Sequence, residues 1–133
     1  MATEGFQGFY VETRDYSATA AFWASMGFEA VFENDHNSGQ WLHPSGGPYV
    51  FINQQTDDRA LETHPILGVT DSIEFSADPK PEFARPFTPQ HWAVTEAIIR
   101  DPDGRDVSLQ APLPPDAESI DAAEHHRDKY GDD

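Results

Sequence analysis

The chain is organised by apolar positions that alternate with polar ones in short runs, and turn residues punctuate the runs. Val94–Arg100 and Arg105–Ala111 both read as strands, and Asp101-Pro102-Asp103-Gly104 between them is hairpin punctuation. On the return strand Val107 and Leu109 alternate with Asp106, Ser108 and Gln110, giving one apolar face and one polar face. The pattern occurs earlier as well: Gln40-Trp41-Leu42 leads through His43-Pro44-Ser45-Gly46 into Pro48–Asn53. Laid over each other, Tyr49 matches Val107 and Val50 matches Ser108. Each copy has a strand some distance before it, Gly8–Thr13 in the first and Ser72–Ala77 in the second, so the pattern predicts a β, connection, β, turn, β unit used twice.

In the first copy the connection is predicted as a helix from Tyr16 to Met26. Asp15 or Ser17 can cap it, its interior is rich in Ala, and Gly27 stops it. Tyr16, Thr19, Ala20, Trp23 and Met26 form a stripe at helical spacing, expected in the core. Phe28–Glu33 resumes as a strand, and Asn34–Gly39 is a polar loop carrying His36. Gln54–Glu62 is polar and aperiodic and reads as the crossover to a second half that begins near His64-Pro65. There the connection holds Pro79, Pro81, Pro86 and Pro89, too many for a helix interior; at most one turn is expected around Glu82–Arg85.

Length bounds this pattern to one domain. At 133 residues a single core and one cleft are expected, with the domain at 1–112, its halves at about 6–54 and 66–112, and an acidic tail at 113–133. In that tail a short helix near Asp116–Arg127 is one reading and disorder the other, and the adjacent pair His125-His126 is a weak metal candidate. The absence of cysteine removes thiol catalysis and thiolate metal sites. No basic n-region with an apolar run follows Met1, and a cytoplasmic location is expected. The formal net charge of −16 opposes nucleic acid and anionic membrane as partners; its field either serves solubility alone, the favoured reading, or attracts a cationic small molecule.

Asp15-Tyr16-Ser17, Phe22-Trp23 and Met26-Gly27-Phe28, with the Arg100–Gly104 hairpin, resemble the vicinal oxygen chelate superfamily of glyoxalases, bleomycin-resistance proteins and ring-cleaving dioxygenases. The resemblance covers residues 6–112. It implies an α+β fold of two βαβββ modules forming a half-open β-barrel cleft, the second-module helix reduced to a Pro-rich loop, and a homodimer with grooves at the subunit interface. Metal enzymes of that superfamily carry ligands at positions that fall here on Gly8, Val50, Ser72 (or Asp71) and Ser108. Gly and Val cannot ligate and serine is a poor ligand, so no metal and no cofactor are expected. Trp92, Glu96 and Arg100-Asp101-Pro102 resemble a spacing of the bleomycin-resistance branch, with Ala93, Thr95 and Ala97 departing from it.

With three Trp, four Tyr and nine Phe in the chain, stacking on a planar ligand is the favoured chemistry. The residues expected to bind it are Tyr10, Glu12, Phe32, His36, Trp41, Val50, Ile52, Glu74, Phe87, Trp92, Ser108 and Gln110. Glu12 and Glu74 are assigned to cationic groups of the ligand and the aromatic residues to its rings. The function expected is sequestration of a cytotoxic antibiotic or similar aromatic ligand without chemical change. The alternative is a metal-independent enzyme in which Glu12 or Glu74, its pKa raised by burial, acts as general base beside Tyr10 or His91.

Overall fold

A computed structural model describes residues 2–114. The tail helix near Asp116–Arg127 and the pair His125-His126 lie outside them. The described residues are α+β, with one helix and eight strands in mixed pairing: β1 Phe6–Thr13, α1 Tyr16–Ser25, β2 Glu29–Asn34, β3 Ser38–Leu42, β4 Tyr49–Gln54, β5 Thr63–Gly68, β6 Glu82–Pro89, β7 Val94–Arg100 and β8 Asp106–Pro112. It forms two compact units, one of Gln7–Pro65 and one made by the residues before Gln7 with those from Ile66 on.

The first unit carries strands in the order β2-β3-β4-β1, with β1 parallel to β4 and the rest antiparallel. Helix α1 starts where Asp15, in extended conformation, accepts a hydrogen bond from the Ala18 N–H, satisfying one of the orphan donors of the first turn. It ends at Met26, followed by Gly27 at φ +99°, a left-handed conformation that strains any residue with a Cβ. Tyr16 and Ala20 of the helix are buried with Trp41, Val50 and Ile52, and Val11, Trp23 and Phe28 pack against them. Met26, placed on the buried stripe by its spacing, is 55% exposed because the helix has already ended there.

The Tyr16 hydroxyl sits within this core, donating to Glu33 Oε2 at 2.7 Å and accepting from Trp41 Nε1 at 3.1 Å. Burial, with Glu33 beside it, pushes the phenol up to about 12. The bond gives a buried indole N–H the partner it requires.

The second unit carries the order β5-β8-β7-β6, with β5 parallel to β8 and both β7 pairs antiparallel. Its own core joins Val69, Ala97, Leu109 and Ala111, flanked by Leu67, Phe75, Phe83, Phe87 and Ile99. Among the described residues there is thus one apolar cluster in each unit. The β7–β8 hairpin closes as predicted. Asp101 Oδ1 accepts from the N–H groups of Asp103 and Arg105, both at 2.9 Å, and these bonds, the Arg105 N–H foremost, hold its carboxyl below the usual range.

Two sequence expectations fail in this unit. Ser72–Ala77 alternates like a strand but is none: Ser72–Glu74 form a turn because the Asp71 carboxylate accepts from the Ile73 N–H at 2.8 Å, a local bond that competes with strand pairing. The strand is β5 instead, disguised by Pro65, which lies outside its paired stretch Ile66–Gly68. Glu82–Arg85, expected as a turn, belongs to β6. That strand tolerates Pro86 and Pro89 because it pairs only with β7 and shifts register between Phe83 and Arg85 and between Arg85 and Thr88, as prolines at a sheet edge require.

Trp41→Ala is expected to lower the urea unfolding midpoint, at a cost of about 3–5 kcal/mol for a large core truncation. A midpoint equal to that of wild type would contradict the assignment of Trp41 to the core.

Candidate functional site

Strand register decides which side chains share the face of the first unit that α1 leaves uncovered. β1 and β4 pair Gly8 with Tyr49, Tyr10 with Phe51 and Glu12 with Asn53; β3 adds Gln40 beside Phe51 and Ser38 beside Asn53, and β2 places Phe32 beside Gln40. Directly paired residues project to one side of a sheet. The Tyr49 ring lies over Gly8, where an added Cβ would fall 2.4 Å from it, so the close approach of this ring requires glycine.

Four rings run in a row across this face. His64 lies 5.1 Å from Tyr10, Tyr10 is stacked at 6.5 Å and 14° on Phe51, and Phe51 lies 6.2 Å from Phe32. Phe32 is 47% exposed, Tyr10 and Phe51 are half-buried, and the His64 side chain is 10% exposed, so the accessible ring surface lies toward the Phe32 end. The row therefore offers ring surface to a planar partner.

Beside the rings the Glu12 carboxylate is saturated. Arg59 binds it in bidentate fashion, Nη2 to Oε2 at 2.6 Å and Nη1 to Oε1 at 2.8 Å. Tyr10 Oη donates to Oε2 at 2.7 Å, Gln55 Nε2 donates at 3.0 Å, and the Glu62 N–H donates to Oε1 at 2.9 Å. Burial pushes this carboxyl up, but the Arg59 and Tyr10 hydrogen bonds, the Glu62 N–H and the Arg59 charge outweigh it, so Glu12 sits below the ordinary carboxylate value. The raised pKa expected from the sequence is thus corrected, and with it the general-base role: five donors stabilise the ionised form. Nor is Glu12 available to a ligand cation, since Arg59 already fills that place. Tyr10, which also accepts from Asn53 Nδ2 at 3.0 Å, is pushed up to about 12, first by burial. His64 Nδ1 lies 3.1 Å from Glu62 Oε1.

The second unit has a counterpart on the polar side of β7 and β8. Glu96 Oε1 accepts from Arg85 Nη2 at 2.6 Å. Its Oε2 accepts from the fully buried Ser108 hydroxyl and from Gln110 Nε2, the latter at 3.0 Å. Ser108 and Gln110 are therefore brought together as expected, around a carboxylate that the sequence reading did not include in the site.

The remaining expected residues scatter. Trp41, Val50 and Ile52 belong to the α1 core, on the face opposite Tyr10. Phe87 packs with Phe75 and Phe83 against the apolar cluster of the second unit. Glu74 is exposed in the Ser72–Glu74 turn. His36 is exposed in the β2–β3 turn that Asn34 Oδ1 organises, 3.4 Å from Asp35. Trp92 is 45% exposed in the β6–β7 turn, edge-on to His91 at 4.8 Å. Of the four positions carried over from metal enzymes, Val50 faces the helix and Ser72 and Asp71 lie at a turn. Among the described residues no group of three or more His, Asp or Glu side chains is placed to hold a metal ion.

Phe51, Asn53, Arg59 and His64 were missed. The signal for the first two was partly in the alternation: Tyr49, Phe51 and Asn53 alternate with the apolar Val50 and Ile52, and the register pairs them with Gly8, Tyr10 and Glu12, whereas Val50 and Ile52 pair with Phe9 and Val11. Arg59 is a lone base in an acidic, aperiodic segment, and pattern alone does not give its partner.

Because the folded pKa of Glu12 lies below its ordinary value of 4.5, its contribution to stability is present above that value and is lost as pH falls through the folded pKa. Urea midpoints of wild type are expected to drop below about pH 5, and those of Glu12→Gln to drop less. Parallel curves for the two proteins would contradict the assignment.

No family model and no curated protein matches the sequence. Solved structures do match in fold. A glyoxalase/bleomycin resistance protein/dioxygenase superfamily member from Vibrio splendidus 12B01 is 14% identical with a TM-score of 0.58, covering 78% of this chain and 96% of its own. An NAD-dependent benzaldehyde dehydrogenase from Legionella pneumophila gives 10%, 0.57, 78% and 96%. The Mn(II)-bound glyoxalase from Novosphingobium aromaticivorans gives 16%, 0.53 and 83%, over 39% of its own chain. The names span unlike chemistries, so the likeness carries architecture and not activity. What the strand order and these neighbours establish together is the fold of the glyoxalase/bleomycin resistance/dioxygenase superfamily.

Proposed function

We propose that this protein binds a flat aromatic cytotoxic compound, antibiotic in type, and holds it without chemical change. One observation carries the reading: the uncovered face of the first unit presents His64, Tyr10, Phe51 and Phe32 as a row of rings, while the ionisable groups beside them are already engaged. A carboxylate with five hydrogen bonds and a phenol pushed up to about 12 are poor acid–base catalysts near neutral pH. A face with stacking surface, on which Glu12 and Tyr10 are already engaged with each other and with Arg59, suits retention better than turnover.

The reading takes with it the resemblance of Trp92, Glu96 and Arg100–Pro102 to the bleomycin-resistance branch. It also takes two βαβββ modules in one domain, no cofactor, and a homodimer with two equivalent grooves at its interface. The charge of −16 enriches cationic aromatic compounds near the surface over neutral ones.

Calorimetric titration of bleomycin, mitomycin and other planar antibiotics, followed by mass analysis of the recovered compound, tests this. Saturable binding with unchanged ligand mass is expected, and Phe32→Ala, at an exposed ring, is expected to weaken it by about 1–3 kcal/mol. Recovery of a modified compound, absence of binding across the panel, or full affinity in Phe32→Ala would overturn the reading.

A further inference from the structure

A concavity lies in the second unit, lined by the β5–β6 connection and β6. It has a volume of about 500 Å³, and Phe75, Phe83, Phe87, Pro81, Pro86 and Lys80 are among its lining residues. The three phenylalanines stand 5.9–6.4 Å apart at angles of 58–78°, a continuous aromatic wall rather than an open cage. Two prolines with fixed φ stiffen the rim. The volume suits a molecule of one or two fused rings.

Lys80 gives this concavity its polarity. Arg59, Arg85, Arg100 and Arg105 each pair with a carboxylate, and Arg14 donates to the carbonyls of Gln55, Asp57 and Arg59. Lys80 is the basic residue among the described ones with no hydrogen bond or ion pair to any of them. The Ser76 hydroxyl, also in the lining, is likewise unengaged among the described residues. An ammonium and a hydroxyl beside an aromatic wall match a ring that bears a carboxylate.

We infer that this concavity is a binding site for a small planar aromatic carboxylate. Its rings lie against Phe75, Phe83 and Phe87, and its carboxylate accepts from Lys80. A cationic ligand is disfavoured there by the same ammonium, so the site has the opposite charge preference to the ring row of the first unit and is independent of it. The negative field of the protein does not prevent this, because exposed charges beyond about 8–10 Å are largely screened at physiological ionic strength, and the nearby Glu82 is drawn to Arg100 at 3.4 Å.

The probe is 2-naphthoate, followed by its own fluorescence, against the uncharged 2-naphthamide. Wild type is expected to bind naphthoate saturably. Affinity is expected to fall about tenfold both for naphthamide and for naphthoate with Lys80→Met, the effect of one charge-assisted hydrogen bond. Lys80 is exposed, so the variant keeps the wild-type urea midpoint, and its selective loss also locates the site. No saturation up to about millimolar naphthoate, or equal affinities for the two probes or the two proteins, would overturn the inference.

Discussion

The ion pair between Glu12 and Arg59 sets much of the first unit. Glu12 stands next to last in the stretch of β1 that pairs with β4, and its side chain is 2% exposed, a placement that a carboxylate tolerates only when its charge and lone pairs are met. Arg59 and the Glu62 N–H meet them from one side, and Arg14 fixes the same segment from the other through its carbonyls. The aperiodic run from Gln55 to Glu62 is therefore tied in place without a regular element, and it delivers His64 against Tyr10. Burial of the carboxylate costs solvation that offsets part of its attraction to Arg59, whose own side chain is 45% exposed. The consequence of the pair is positional: it orders the ring row and at the same time occupies the buried carboxylate on that face.

The second unit reaches the same result with different residues. Glu96 stands on β7, and Arg85 from the irregular edge strand β6 neutralises it, while Ser108 and Gln110 take its other oxygen. Both polar faces thus consist of a carboxylate whose oxygens are met by an arginine and by amide or hydroxyl donors, although Arg85 Nε is buried without a hydrogen-bond partner among the described residues. What separates them is aromatic surface, present as a row in the first unit and absent from the polar face of the second, whose rings lie on its apolar side.

Much of the architecture was legible because local chemistry and tertiary packing agree there. Asp15 capping, the Gly27 stop and the Asp101–Gly104 hairpin all stand where the residue types put them. The failures have local causes. At Asp71 an internal hydrogen bond converts an alternating run into a turn, and Pro65 hides a strand whose paired residues all follow it. The candidate site was half legible. Tyr10, Glu12 and Phe32 were placed on the correct face, but overlaying Val50 on Ser108 shifted β4 by one residue, and a one-residue slip exchanges the two faces of a strand. That slip put Val50 and Ile52 in the site in place of Phe51 and Asn53. The arginine that fixes Glu12 is distant in sequence and lies in a segment without periodicity, so its pairing was a tertiary fact.

Chemical-shift mapping by NMR of the ring protons during titration with a bound planar antibiotic tests the central claim most directly. Saturating shifts at Phe32, Phe51 and Tyr10, with Trp41 and Ile52 unmoved, are the predicted result. Shifts that leave those three rings unchanged while the ligand binds elsewhere would contradict it.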